Sequence, residues 1–210
     1  MRKYFAPEET KFKGWGEAEK FLSKDKYLSP IIARVGSCTI KPSKPKDYFF
    51  DLVDSIISQQ LSGKAAGIIL NRVRGELGSG LSPTILLKTD DEKLRNCGLS
   101  WAKVKYIKDL AQKIEGEEVN LEKLDKLEDE EIVSELVKVK GIGRWTAEMF
   151  LMFSLARPDV FPIDDLGIKK GINKLFKKEI LRQEIEEKSN RWKPFRTAAS
   201  WYVWALNDNK

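Results

Sequence analysis

Two stretches of this chain combine residue types that can do chemistry. The first is Leu136-Val137-Lys138-Val139-Lys140-Gly141-Ile142-Gly143-Arg144-Trp145-Thr146-Ala147. Two glycines around one apolar residue, set between helical patterns, allow a very tight reversal with positive φ angles at the glycines. Ile142 would plug that turn into a core. The N–H groups of Gly143 and of the next helix's first turn would then face outward, where a phosphate oxygen can accept from them. A side chain in place of glycine would hold the phosphate off the backbone. Lys138, Lys140 and Arg144 surround the turn with positive charge, which strengthens such a contact at low salt. Gly141, Ile142, Gly143, Arg144, Thr146 and Lys140 are therefore the candidate DNA-backbone contacts. A hairpin of this kind does not make an enzyme, because modules that only hold a nucleic-acid backbone use it too.

The second stretch is Arg157-Pro158-Asp159-Val160-Phe161-Pro162-Ile163-Asp164-Asp165-Leu166-Gly167-Ile168-Lys169-Lys170. It offers two adjacent carboxylates, and residue types alone do not choose between Asp164 and Asp165. Either reads as a helix cap or as a solvated charge. The chain has no histidine, which removes histidine triads, histidine general bases and histidine metal ligands. Its two cysteines, Cys38 and Cys97, cannot complete a four-cysteine zinc site or an iron–sulfur cluster. They read as buried or incidental thiols rather than a disulfide. Any catalysis must rest on Asp, Glu, Lys, Tyr or hydroxyl groups.

The elements that would position these residues are helical throughout. Asp47–Gln60 places Phe49, Leu52, Val53, Ile56, Ile57 and Gln60 on one face, the spacing of an amphipathic helix. Ser62 can cap the next helix, Thr89 with Glu92 forms a capping-box pattern, and Ser100 can cap a helix that ends near Gly116. Glu130–Val139 turns Ile132, Val133, Leu136 and Val137 inward, and Trp145–Leu155 is apolar on most sides. Ile168–Lys178, Gln183–Lys188 and Pro194–Leu206 complete the series, with Pro194 as a first helical residue. The fold class is all-α. The 210 residues, 41% of them hydrophobic, can bury a core shared by two lobes. The proline- and lysine-rich Lys41–Lys46 is the clearest break between lobes.

The net charge of +6 favours a polyanionic partner without requiring one. No apolar run is long enough to span a bilayer, and Met1–Thr10 lacks the apolar stretch of a signal peptide. The expected setting is intracellular: cytoplasmic in a prokaryote, nuclear in a eukaryote.

With both stretches in order, the chain resembles the helix-hairpin-helix (HhH-GPD) DNA glycosylase superfamily, in its AlkA-like 3-methyladenine DNA glycosylase II branch. Further matching segments are Ile57-Ser58-Gln59-Gln60-Leu61-Ser62, Gly98-Leu99-Ser100 with Lys103, and Arg191-Trp192-Lys193-Pro194-Phe195-Arg196. The resemblance implies a two-lobed helical fold lacking the extra N-terminal α/β domain of longer members. One lobe would span 45–161 and include the hairpin. The other would join 1–44 to 162–210, with the active site in the cleft between lobes. The family's essential aspartate matches Asp165, leaving Asp164 as a helix cap. Trp145 and Trp204 fall at the base pocket, and Met149, one turn after Trp145, could line the same wall. Bifunctional members carry a lysine nucleophile where this chain has Trp145, so the resemblance implies a monofunctional enzyme. The loop that fills the duplex after a base leaves matches Gln60 or Leu61. The family's hairpin cation, Na+ or K+, would be held by the carbonyls of Val137, Val139 and Gly141. No cofactor is otherwise required, and no iron–sulfur cluster is expected.

The implied activity is hydrolysis of the N-glycosidic bond of alkylated purines, of 3-methyladenine type, in double-stranded DNA, by a protein acting as a monomer. An already cationic base leaves without a strong general acid, which suits a chain with no histidine. The alternatives are the same fold acting on uracil or on a deaminated or oxidised purine, and a non-catalytic hairpin module.

Overall fold

A computed structural model describes residues 12–78 and 80–207; the Met1–Thr10 stretch lies outside the described residues. Every regular element among these is helical. The α-helices are α1 (Gly16–Leu22), α2 (Ser29–Val35), α3 (Tyr48–Ser58), α4 (Gly63–Leu77), α5 (Pro83–Lys88), α6 (Asp91–Asn96), α7 (Trp101–Glu115), α8 (Asp129–Leu136), α9 (Arg144–Phe153), α10 (Leu166–Phe176), α11 (Arg182–Ser189) and α12 (Arg196–Ala205). They group into two compact units, Ser43–Phe150 and Met1–Pro42 with Leu151–Lys210.

In the first unit, α3 buries Phe49, Leu52, Val53, Ile56 and Ile57, the face expected from their spacing. Each fully buried aliphatic side chain of this kind contributes about 1.5–3 kcal/mol. The helix stops at Ser58, so Gln60 is not on that face; it sits in the following loop at φ +59° and is exposed. Ser62 caps α4 by accepting from the Ala65 N–H, and Ser100 caps α7 by accepting from the Lys103 N–H. The Thr89–Glu92 capping box does not form. Asp90 accepts from the Glu92 N–H instead, while the Thr89 hydroxyl donates back to Ile85 and closes α5. In α8, Ile132, Val133 and Leu136 are buried as expected, but Val137 is not. The helix ends at Leu136, and the turn that follows leaves Val137 exposed.

The second unit closes its core from both ends of the chain. Trp15, Leu22, Leu28 and Ile31 pack with Ile168, Ile172, Trp192, Ala198, Ala199, Tyr202 and Val203. Helices α10 and α12 approach so closely at Gly171 that a Cβ there would stand 2.5 Å from the Val203 carbonyl oxygen. The boundary expected at 161/162 falls at 150/151, because the loop 157–160 is stitched to the start of α12. Asp159 grips the Arg196 guanidinium at 2.7 and 2.8 Å. The Thr197 hydroxyl donates to the Arg157 carbonyl and accepts from the Val160 N–H. That anchoring starts the last helix at Arg196, two residues after Pro194.

Candidate active site

Asp165, not Asp164, caps α10. Its Oδ1 accepts from the Ile168 N–H at 2.8 Å and from the Trp204 indole N–H at 2.8 Å. The expectation that Asp164 is the cap fails for a plain reason. Its carboxylate is turned to Arg182, at 3.1 and 3.2 Å, with Lys169 at 3.5 Å. Hydrogen bonding from Arg182 holds the exposed Asp164 carboxyl below its ordinary range. The Trp204–Asp165 bond needs a glycine beside it: a Cβ at Gly167 would lie 2.8 Å from the Trp204 ring and 3.0 Å from Asp165 Oδ1. Asn207 donates to the Gly167 carbonyl at 2.8 Å, fixing that stretch of backbone. Trp204 also stacks on Phe153, with ring centroids 5.8 Å apart and planes inclined by 28°.

Phe153 ends a stripe along α9. Trp145, Met149 and Phe153 recur at four-residue spacing, which places them on one helix face. Trp145 and Phe153 are 41% and 42% exposed and Met149 is half-buried. By contrast, Thr146, Ala147, Phe150, Leu151 and Met152 are buried. An apolar stripe that stays part-exposed on a helix otherwise sunk in core is a surface that a planar ligand can cover.

The hairpin forms between α8 and α9. Ile142 is buried, as its role as a plug requires, and its N–H closes the turn onto the Val139 carbonyl at 3.1 Å. The glycines differ from expectation. Gly141 alone takes a positive φ, +84°, and a Cβ there would lie 2.2 Å from the Tyr106 ring. A Cβ on Gly143 would meet nothing within 4 Å, so this glycine keeps an open approach to the backbone rather than an unusual dihedral angle. The basic residues are also less free than their number suggests. Arg144 pairs with Glu130 and Glu148, Lys138 with Glu135, and Lys140 with Asp109. Thr146 is only 3% exposed, and its hydroxyl faces Gln59 Nε2 at 3.3 Å, so its side chain does not present to solvent. The turn therefore leaves its amides approachable at Gly143, with charge locally balanced around them.

The loop between α3 and α4 exposes both Gln60 and Leu61. Leu61 is not packed inside, and the residue that reaches the hairpin is Gln59, whose Nε2 donates to the Gly141 carbonyl at 2.8 Å.

A family model described as HhH-GPD superfamily base excision DNA repair protein matches residues 53–195, a span that includes the hairpin and Asp165. The chain belongs to this superfamily. It is 40% identical over 195 residues to DNA-3-methyladenine glycosylase 1 of Schizosaccharomyces pombe, covering 90% of this chain and 86% of that one. Among solved structures, a Schizosaccharomyces pombe 3-methyladenine DNA glycosylase in complex with abasic DNA superposes with a TM-score of 0.81 at 36% identity, over 90% of this chain and 95% of that chain. The DNA-3-methyladenine glycosidase of Bacillus halodurans gives 0.81 at 32% identity, over 99% and 94%. The all-α HhH-GPD fold expected from the sequence is the one observed.

Of the three carbonyls proposed to hold a monovalent cation, that of Gly141 accepts from Gln59 Nε2 and that of Val139 from the Ile142 N–H. Each of these carbonyl oxygens keeps a second lone pair beside the one that accepts. Three residues with roles in these arrangements were missed in the sequence: Phe153 and Gly167 beside Trp204, and Gln59 beside the hairpin. Phe153 was findable as the next step of the Trp145–Met149 spacing. Gly167 and Gln59 were not, because their roles come from contacts with Trp204 and Gly141, each at least 37 residues away.

Proposed function

We propose that this protein is a monofunctional DNA glycosylase that hydrolyses the N-glycosidic bond of alkylated purines, of 3-methyladenine type, extruded from duplex DNA. The observation that carries the reading is the Asp165 carboxylate, fixed by the Ile168 and Trp204 N–H groups. As the bond between C1′ and the base nitrogen breaks, its electron pair leaves with the base, which an alkyl group has already made cationic. Positive charge builds on the sugar, and a carboxylate held in place stabilises it without reorganising. Water then adds at C1′ and gives up its proton to Asp165 or to solvent. The Trp145 indole offers a π face to a cationic base, worth roughly 1–2 kcal/mol when desolvated. Trp145 also stands where a lysine would be needed for Schiff-base chemistry, so the product is an abasic site in an intact strand. The names of the relatives support the alkylated-base assignment.

The test is base release from methylated duplex DNA. Asp165→Asn should bind DNA like wild type and lose base release by about a hundredfold or more. Asp164→Asn, which breaks only exposed ion pairs, should stay within about twofold of wild type. Strand nicking without alkali, or a borohydride-trapped adduct, would refute the monofunctional assignment. Failure of the wild type to free any base from a lesion panel would leave only a DNA-holding module.

A further inference from the structure

The segment Gly98-Leu99-Ser100 with Lys103 has no part in the chemistry above, yet Lys103 has well-defined partners. Its Nζ donates to the carbonyls of Ile57 and Gln59, at 2.7 Å each. These oxygens sit at the end of α3, where the last carbonyls of a helix have no intrahelical donor and its dipole is negative. Partial burial lowers the Lys103 pKa from the ordinary lysine value, so the ammonium is kept there against a desolvation cost. Three residues further along α7, the Tyr106 ring closes on Gly141, and three further still, Asp109 accepts from the Lys140 N–H at 2.8 Å. Residues 103, 106 and 109 thus run along one side of the helix, joining the α3–α4 loop at one end to the hairpin at the other. Gln59 completes the circuit from the loop side, through Gly141 and Thr146. The tip beyond this clamp, Gln60 and Leu61, is exposed, and Gln60 is in the left-handed region.

We propose that Lys103 is a positioning residue that, with Gln59, holds the Gln60–Leu61 tip at a fixed offset from the phosphate-binding turn. Gripping the backbone at the turn then places the tip where it can occupy the space an extruded base leaves. This rests on the glycosylase reading above. Base extrusion must be stabilised against restacking and re-pairing, and a tip on a loose loop gives up that alignment. Without the ammonium, two carbonyls lose their donor.

The experiment compares single-turnover release of 7-methylguanine placed opposite cytosine with release of the same base from a one-nucleotide bulge, where extrusion costs little. In Lys103→Met the paired-to-bulged rate ratio should fall about tenfold below wild type, as expected for unsatisfied carbonyls at the loop. Lys103→Arg, which still donates, should recover most of the ratio. Taking the ratio within each variant cancels any fraction that fails to fold. Equal slowing of both substrates in Lys103→Met, or no change in either, would overturn the positioning role. A wild type that released no base from these duplexes or from the lesion panel would instead sink the glycosylase reading, and this proposal with it.

Discussion

Trp204 does two things at once, and they can be separated by chemistry. Its ring stacks on Phe153 and its N–H holds Asp165 Oδ1. In Trp204→Phe the aromatic surface remains and the donor is lost, so kcat should drop by roughly tenfold or more while KM stays near wild type, since hydrogen bonds to a charged group contribute about 1.5–3 kcal/mol. Gly167→Ala should reproduce that pattern from the other side, by driving the indole off the carboxylate. Single-turnover kinetics of both variants check it; a change in KM alone would count against the arrangement. The choice between Asp164 and Asp165 was never available from residue types, because each could cap a helix. What distinguishes them is a tryptophan 39 residues away and an arginine 18 residues away, and only folding brings those partners together.

Helices, caps and the turn were readable to different depths. The buried face of α3 follows from apolar spacing alone, and the Ser62 and Ser100 caps from a hydroxyl set before a helical pattern. The Thr89 cap was misplaced because α5 ends there and claims the hydroxyl for its own last turn. The hairpin was located correctly, but its two glycines were given one reason when they have two. Gly141→Ala should therefore lower the melting temperature, by strain at φ +84° and collision with Tyr106, in the range of about 1–3 kcal/mol or above. Gly143→Val should melt like wild type yet bind all duplexes more weakly, lesion or not. Fluorescence anisotropy with intact and abasic duplexes, beside thermal melts, separates the two. A lesion-selective loss in Gly143→Val would contradict a phosphate contact.

At the scale of the whole chain, composition gave the sign of the charge but not where it is spent. Lys138, Lys140 and Arg144 suggested a basic hairpin, whereas carboxylates from α7, α8 and α9 pair with these three cations. Glu130→Gln should therefore tighten DNA binding at low salt and steepen the dependence of log K on log salt by up to about one unit, the contribution of one newly freed phosphate contact. Titrations across salt concentrations measure that slope directly. The buried thiols were rightly expected to stay unpaired, and one of them sets a limit on the alkaline side. Burial pushes Cys38 from 9.0 up to about 11. Since the folded chain disfavours the thiolate, the stability present below pH 9 is lost progressively as pH rises toward 11, by at most about 3 kcal/mol. Melts over that window should fall more steeply for wild type than for Cys38→Ala. The balanced hairpin has a kinetic consequence as well. A protein that reads mostly undamaged DNA gains from brief visits. For the glycosylase proposed above, cations already engaged by carboxylates would add little to the dwell time at each intact site, so that a rare lesion would be reached by many short encounters.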